Sequence, residues 1–557
     1  MVDQLESGHA LKRDVGFWGL LFSSVGSVIG SGWLFGALLA TELAGAAALL
    51  SWIIASVIVT MLALVHAELG GMFPVAGGTS RFPHYAFGSF AGASFGWFAY
   101  IQAATVAPIE VLATIQYTSS ISWAAAWYKP ATNTLSGIGI VVAIILVVAF
   151  TTLNLVGIRW LANVNTAMTW WKIFVPVLAV VVLVSTHFHA HNFTAGGFFL
   201  PGASGGFKAV MLAIPGGGIV FSLLGFEQAV QLGGEARNPG RDVPRAVIYS
   251  ILIGAVIYIA AQFAFIASVN PGTLAHFHTW AGLAAGDPAL NQAPFATVAV
   301  AAGLGWLAWL LRVDAVVSPG GTGLIYLTSA SRIAYGLSRN GYVPEAFEKT
   351  TPRTRVPVMA IVVSSCIGVL FLLPFPSWSK LVGIVTSASV LMYAGAPLSL
   401  GALRLQRPDM ERPYSIPMAK IVAPLAFCLA NFIVYWAGWQ TYSTLMIVML
   451  IGYLLLIITR VFHLNSRVPN LDLQGARWLL PYLIGLGTIS YFGQFGSGGI
   501  IGFNMHYTAF MRGGNLAIPL YADLLVLTIF SLAIYYLAMH SRLTNERQDE
   551  YIGTTSV

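Results

Sequence analysis

The chain alternates between apolar blocks of membrane-spanning length, about 20 residues or more, and short connecting stretches that hold most of its charge. The blocks fall near 15–40, 45–72, 90–119, 136–157, 163–186, 210–233, 246–269, 296–335, 357–375, 378–402, 417–438, 441–461, 477–494 and 516–539. The pattern predicts an all-α polytopic membrane protein of about 12–14 spans. The eighth block is long and glycine-interrupted, and is predicted to continue past the membrane.

Two blocks are broken inside. "SSVGSVIGSGWLFG" (23–36) sets glycine or serine every few residues into the first, and "IPGGGIVFSLLGFEQ" (214–228) sets Pro215, three consecutive glycines and Gly225 into the sixth. Gly/Pro-interrupted spans at corresponding places in two halves point to a transporter's binding site. Their positions, first and sixth, imply two five-helix repeats, and an odd number of helices per repeat inverts the second. The expected division is a cytoplasmic N-terminus (1–14), a first repeat (15–186), a second, inverted repeat (210–402), peripheral helices (417–539) and a cytoplasmic tail (540–557).

Composition agrees: 57% of residues are hydrophobic and 8% charged, where a soluble domain carries about 25% charged residues. Cys366 and Cys428 both lie in apolar runs and read as reduced, packing residues. The first apolar run continues from Val15 without a small-residue cleavage site, so it reads as a span and not a secretory signal. The net charge of +7 is spread over loops, which speaks for topology and against nucleic acid. With the N-terminus in the cytoplasm, most of the 27 Lys and Arg residues fall inside. Lys129, Lys208, Lys380 and Arg512 fall outside, Lys172 and Arg312 fall within the membrane, and both termini are cytoplasmic. The outside segment "THFHAHNFT" (186–194) holds three histidines and an N-x-T sequon, but nothing nearby completes a ligand set, so no metal is expected.

Where a helix unwinds, its N–H groups and the positive end of the half-helix dipole suit a carboxylate, and its carbonyls suit an ammonium. One zwitterion, the backbone of an amino acid, satisfies both. The alternative is that the small residues only let helices pack closely.

"GSVIGSGWLFG" (26–36) resembles the first-helix signature of the amino acid–polyamine–organocation superfamily. "AELGGMFPVAGGTSRF" (67–82), "FSLLGFEQAVQLGGEARNPGRDVPRAV" (221–247), "SASRIAYGLSRNGYVPEAF" (329–347) and "LRLQRPDMERPYSIP" (403–417) resemble its second helix, its sixth helix with the following loop, and its later cytoplasmic loops. "LGWLAWLLRVDAVVSPGGTG" (304–323), "LPFPSW" (373–378) and the two extra C-terminal spans are most similar to a bacterial aspartate–proton symporter group. The resemblance implies a leucine-transporter-type fold, with inverted 5+5 repeats plus about four peripheral helices, working by alternating access. It implies that Ile29, Gly30, Ser31 and Gly32 bind the substrate carboxylate. Phe221, Ser222 and Leu224, beside Gly225, would offer carbonyls to the amine, and the Phe221 ring would gate the site. Trp33 departs from the family's smaller aliphatic residue; it either narrows the pocket or faces a neighbouring helix.

Ionisable residues at membrane depth read as functional by default. Lys172 lies about ten residues into the fifth span, roughly 15 Å deep. In proton-coupled members of the family a lysine stands here in place of a sodium ion, which implies a proton as the coupling ion. Lys172 either titrates or stays charged and braces the first helix's carbonyls. Glu227 is a proton-relay candidate or a structural hydrogen-bond acceptor. Glu110, Asp314 and Arg312 are gate or pocket candidates, or partners in buried ion pairs, and Arg312 or Arg81 could meet an acidic substrate. Glu42, Glu68 and His66 sit near span ends, where solvated or capping roles are expected.

No P-loop, metal-ligand spacing or nucleophile elbow is present, so ATP-driven transport and enzyme activity are disfavoured and no cofactor is expected. The expected function is import of an amino acid, aspartate or another acidic one first, together with a proton across the cytoplasmic membrane. An amino-acid exchanger is the nearest alternative; a non-transporting sensor or an ion carrier on the same scaffold is more remote.

Overall fold

The computed structural model describes residues 13–75, 77–156, 158–201, 205–277, 280–351, 356–372, 378–496 and 513–553. Arg512 and the first five residues of "LPFPSW" lie outside the described residues, as does the side chain of Lys380. Every apolar block contains helix. The first is α1 (Phe17–Val28) and α2 (Gly32–Ala44), followed by α3 (Ala48–Met72), a short α4 (Gly78–Phe87), α5 (Ser89–Thr118), α6 (Gly137–Val156) and α7 (Ile158–Thr186). The sixth block is split into α8 (Gly206–Gly216), α9 (Ile219–Ser222) and α10 (Gln228–Gln231). Then come α11 (Pro239–Ser268), α12 (Gly305–Arg339), α13 (Val358–Leu372), α14 (Trp378–Gln406), α15 (Ala419–Val461), α16 (Leu479–Phe492), α17 (Ala522–Ser541) and α18 (Asn545–Gly553). A two-residue antiparallel ribbon pairs Tyr128 with Leu135 between α5 and α6.

Among the described residues, eight helical stretches are long and apolar enough to cross a membrane, and α1, α8, α13 and α16 are shorter apolar helices. The outward faces carry large apolar side chains, such as Val141, Ile145 and Val148 on α6 and Leu450, Leu454 and Ile457 on α15. Lipid makes such faces inexpensive, whereas backbone polar groups must pair inside helices.

One boundary differs from the sequence expectation. The eighth block does not start at 296: Pro294–Ala301 is a separate short helix, and α12 begins at Gly305 after a turn in which Gly303 takes φ +73°. The run from 417 to 461 holds two helices that meet at Gly438, whose φ of 84° and ψ of 169° are not helical, in line with the two blocks expected at 417–438 and 441–461. Cys428 is buried, whereas Cys366 on α13 faces outward.

At the centre α12 packs along α5 and α11 along α3, and these four surround the broken segments. Gly225 shows why the sixth block must break there. Its φ of 123° favours glycine, and a Cβ would stand 2.6 Å from the Val28 amide nitrogen. The two breaks therefore touch through bare backbone. Ser24 of α1 closes the junction, donating to Phe226 O at 3.1 Å and accepting from the Ala229 amide at 3.0 Å.

Candidate functional site

The breaks meet around a small cavity of about 10 Å³ lined by Ser27, Val28, Gly30 and Gly32 from the first, Phe221, Ser222 and Leu224 from the sixth, Val106 and Glu110 of α5, and Thr322 and Tyr326 of α12. This is far below the roughly 300–1,000 Å³ of drug-sized sites, so the two breaks are packed together in this conformation. Of the residues expected to bind substrate, Gly30, Gly32, Phe221, Ser222 and Leu224 line it. Ile29 is buried behind it with its carbonyl 3.3 Å from the Thr322 hydroxyl, and Gly225 faces α1 instead.

Ser31 is held from two sides. Its amide donates to Glu110 Oε2 at 2.9 Å, and its hydroxyl accepts the Trp378 indole N–H at 2.8 Å. Trp378, at the start of α14, also packs against Phe35 (ring centroids 5.1 Å apart) and edge-on to Phe221 (5.7 Å). Gly30 is packed so closely that a Cβ would stand 2.8 Å from both Glu110 Oε1 and Thr322 Oγ1.

Lys172, fully buried on α7, reaches the end of α1. Its ammonium donates to Gly26 O at 2.6 Å and to the Thr322 hydroxyl at 2.8 Å, and that hydroxyl donates on to Gly26 O at 3.0 Å. Gly321 makes the room, since a Cβ there would lie 3.0 Å from the Lys172 nitrogen. The ammonium attracts both the Glu110 and the Asp314 carboxylates. Thr322, Tyr326 and Trp378 were not singled out from sequence. The only signal for Thr322 was the small-residue run "SPGGTG" (318–323), which lets α12 approach the break.

Trp33 faces α12 and not the cavity. Its indole N–H donates to Asp314 Oδ2 at 3.0 Å, while Asp314 Oδ1 accepts from the Trp171 indole (2.9 Å) and the Ser318 hydroxyl (2.6 Å). Asp314 is thus a hub joining α2, α7 and α12. Arg312 is two residues away but points elsewhere, donating to Ser120 Oγ at 3.3 Å and lying over the Trp309 ring; it lines no part of the cavity. Arg81 also lines no part of the cavity; it lies on α4, where it reaches Asn340 Oδ1 at 3.4 Å.

Glu227 has four donors: Gln102 and Tyr326 on Oε1, each at 3.1 Å, and Tyr393 (2.7 Å) and the Gly225 amide (2.8 Å) on Oε2. Both oxygens are satisfied, so this carboxylate ties the sixth-block break to α5, α12 and α14. Glu68, expected at a solvated span end, is buried and gripped by Arg404 through bonds of 2.9 and 2.6 Å, with the Ile416 amide at 2.8 Å. Arg404 comes from the last turn of α14, and the chain after α14 folds back over the end of α3 to supply the Ile416 amide. His66 is buried too, its Nδ1 2.7 Å from Leu62 O, and Glu42 is half-buried. In "THFHAHNFT", Asn192 is buried and donates to Ile266 O and Val269 O at 2.8 Å, which turns the sequon inward.

Two broken spans meeting around an enclosed polar cavity, in a chain of membrane-length helices, define a transporter of the leucine-transporter-type fold. Residues 15–461 match the amino acid permease family, and the chain belongs to it. It is 35% identical over 500 residues to the glutamate/serine transporter AimA of Bacillus subtilis, covering 88% of this chain and 90% of that protein. It is 33% identical over 542 residues to the aspartate-proton symporter of the same organism, covering 96% and 97%. A branched-chain amino acid permease from that organism, BcaP, is 25% identical over 482 residues, covering 82% and 94%. The protein is an integral membrane protein of amino-acid transport.

Proposed function

We propose that the protein imports a small amino acid together with a proton. The observation that carries this reading is the Lys172 ammonium on the Gly26 carbonyl and the Thr322 hydroxyl, where the resemblance puts a sodium ion in sodium-coupled members. An ammonium and a sodium ion exclude one another at one site by charge. The Ser27, Ser222, Thr322 and Tyr326 hydroxyls on the cavity lining favour a polar ligand. The names of the two relatives above 30% identity, which specify glutamate, serine and aspartate, support acidic or small polar substrates.

The carboxylate is assigned to Gly30, Ser31 and Gly32, the ammonium to the carbonyls of Phe221, Ser222 and Leu224, the gate to Phe221 with Trp378, and the coupling proton to Lys172. Residues 15–186 and 210–402 are read as the two inverted repeats. Both termini are assigned to the cytoplasm, which the basic residues Arg404, Arg407 and Arg547 support: all three lie at the end of the molecule where α18 docks.

Purified protein in liposomes tests the reading with labelled L-aspartate, L-glutamate and L-serine. An inward proton gradient is expected to drive uptake into empty vesicles. Uptake only into vesicles preloaded with amino acid would replace symport by exchange.

A further inference from the structure

Glu110 holds a place that an incoming amino acid needs. Its Oε2 takes the Ser31 amide, one of the three backbone donors assigned above to the substrate's α-carboxylate, at 2.9 Å. Its other oxygen, Oε1, is buried and has no hydrogen-bond partner among the described residues, and the Glu110 residue lines the cavity. A buried carboxylate oxygen left unpaired is costly and calls for a partner that arrives. Among the described lining residues Glu110 is the only charged one, and no Lys or Arg side chain faces the cavity.

We infer that Glu110 is an internal occupant of the α-carboxylate seat, which the substrate's own carboxylate must displace. The inference rests on the amino-acid reading of the site. Two carboxylates cannot share one amide donor, and their charges repel at contact distance. The displaced group has a destination. An ammonium has three N–H donors, of which the Lys172 bonds to Gly26 O and the Thr322 hydroxyl use two. Glu110 and Thr322 lie on the same side of Gly30, so a small turn of the Glu110 side chain carries it towards that ammonium. A ligand with an ammonium but no α-carboxylate behaves in the opposite way: it leaves Glu110 on Ser31 and pairs with the unpartnered oxygen. The residue thereby sets selectivity between amino acids and their decarboxylated amines.

The test compares pairs that differ only by the α-carboxylate: L-serine with ethanolamine, L-glutamate with 4-aminobutyrate, and L-aspartate with β-alanine. Binding is read by ligand-dependent thermal stabilisation of the detergent-purified full chain, for the wild type, Glu110→Gln and Glu110→Ala. Emptying the seat is expected to tighten binding of at least one amino acid about tenfold and to weaken its amine at least as much, since charge-assisted hydrogen bonds are at stake on both sides. Equal or weaker amino-acid binding in both variants, or no binding by any of the three forms, overturns the inference. Should Glu110→Ala not fold, Glu110→Gln carries the same expectation at smaller amplitude. Proton coupling is read separately, as gradient dependence of uptake by the wild type, so its failure is distinguishable from failure here.

Discussion

The Lys172 ammonium lies 2.6 Å from the Gly26 carbonyl, at the point where the first span stops being a helix. A cation on the outgoing carbonyls of α1 balances the partial negative charge of that helix end. Lys172 therefore ties α7 to the geometry of the break.

Replacing Lys172 with Ala or Gln is expected to abolish gradient-driven uptake while leaving the protein able to bind amino acid. Uptake by Lys172→Ala that still follows the proton gradient would remove Lys172 from the coupling. Lys172→Gln keeps a donor for Gly26 O and controls for collapse of the break.

Glu227 is expected to act as a brace. Glu227→Gln turns an acceptor into a donor against the Gly225 amide or the tyrosine hydroxyls, at a cost of about 1–3 kcal/mol. Thermal stability should fall and maximal uptake with it, yet the ratio of uptake with and without a gradient should hold. A ratio near one would make Glu227 a relay.

Trp33 is expected to matter for stability and not for selectivity. Trp33→Phe leaves Asp314 Oδ2 without its 3.0 Å donor inside the protein, a loss of about 1–3 kcal/mol. The rank order of competing amino acids should not change. A changed rank order would return Trp33 to the pocket.

Gly225→Ala is expected to be among the most damaging single changes. The φ of 123° is unfavourable for alanine, and its Cβ would meet the Val28 amide nitrogen at 2.6 Å. Strain alone costs about 1–3 kcal/mol, and pushing the two breaks apart should also lower amino-acid affinity. Fluorescence-detected size exclusion with thermal challenge reads the first effect, and competition binding the second.

His84, on α4 outside the spans, makes stability depend on pH. Burial first, then the Arg81 and Arg547 charges, lower its pKa from 6.5 to about 3. The unfolded chain thus takes up a proton in a window where the fold does not. The contribution is complete above about pH 6.5 and declines as pH falls towards 3. Wild type should lose about 2 kcal/mol between pH 7.5 and 5 from this group. His84→Gln, which keeps a partner for the Tyr342 hydroxyl, should show a correspondingly flatter profile in chemical unfolding.

Apolar blocks of spanning length can become little other than membrane helices, because a lipid core leaves the backbone no other way to satisfy its polar groups. Gly30 and Gly32 and the glycine run at 216–218 likewise foretold where helix would fail, since the cost of glycine in a helix is local. The sequence by itself thus determined the number of helical blocks, the two breaks and the lysine at membrane depth. It could not determine which way a side chain turns. Trp33 and Arg312 were read as pocket candidates, yet one bonds to Asp314 and the other lies beside Ser120. Thr322 and Trp378 reach the break from α12 and α14, roughly 290 and 350 positions along the chain. Only the tertiary structure decided these contacts, and it decided that Glu110 sits on the Ser31 amide. A helix has many azimuths that bury the same apolar area in lipid or protein, and the one adopted is set by neighbours distant in sequence.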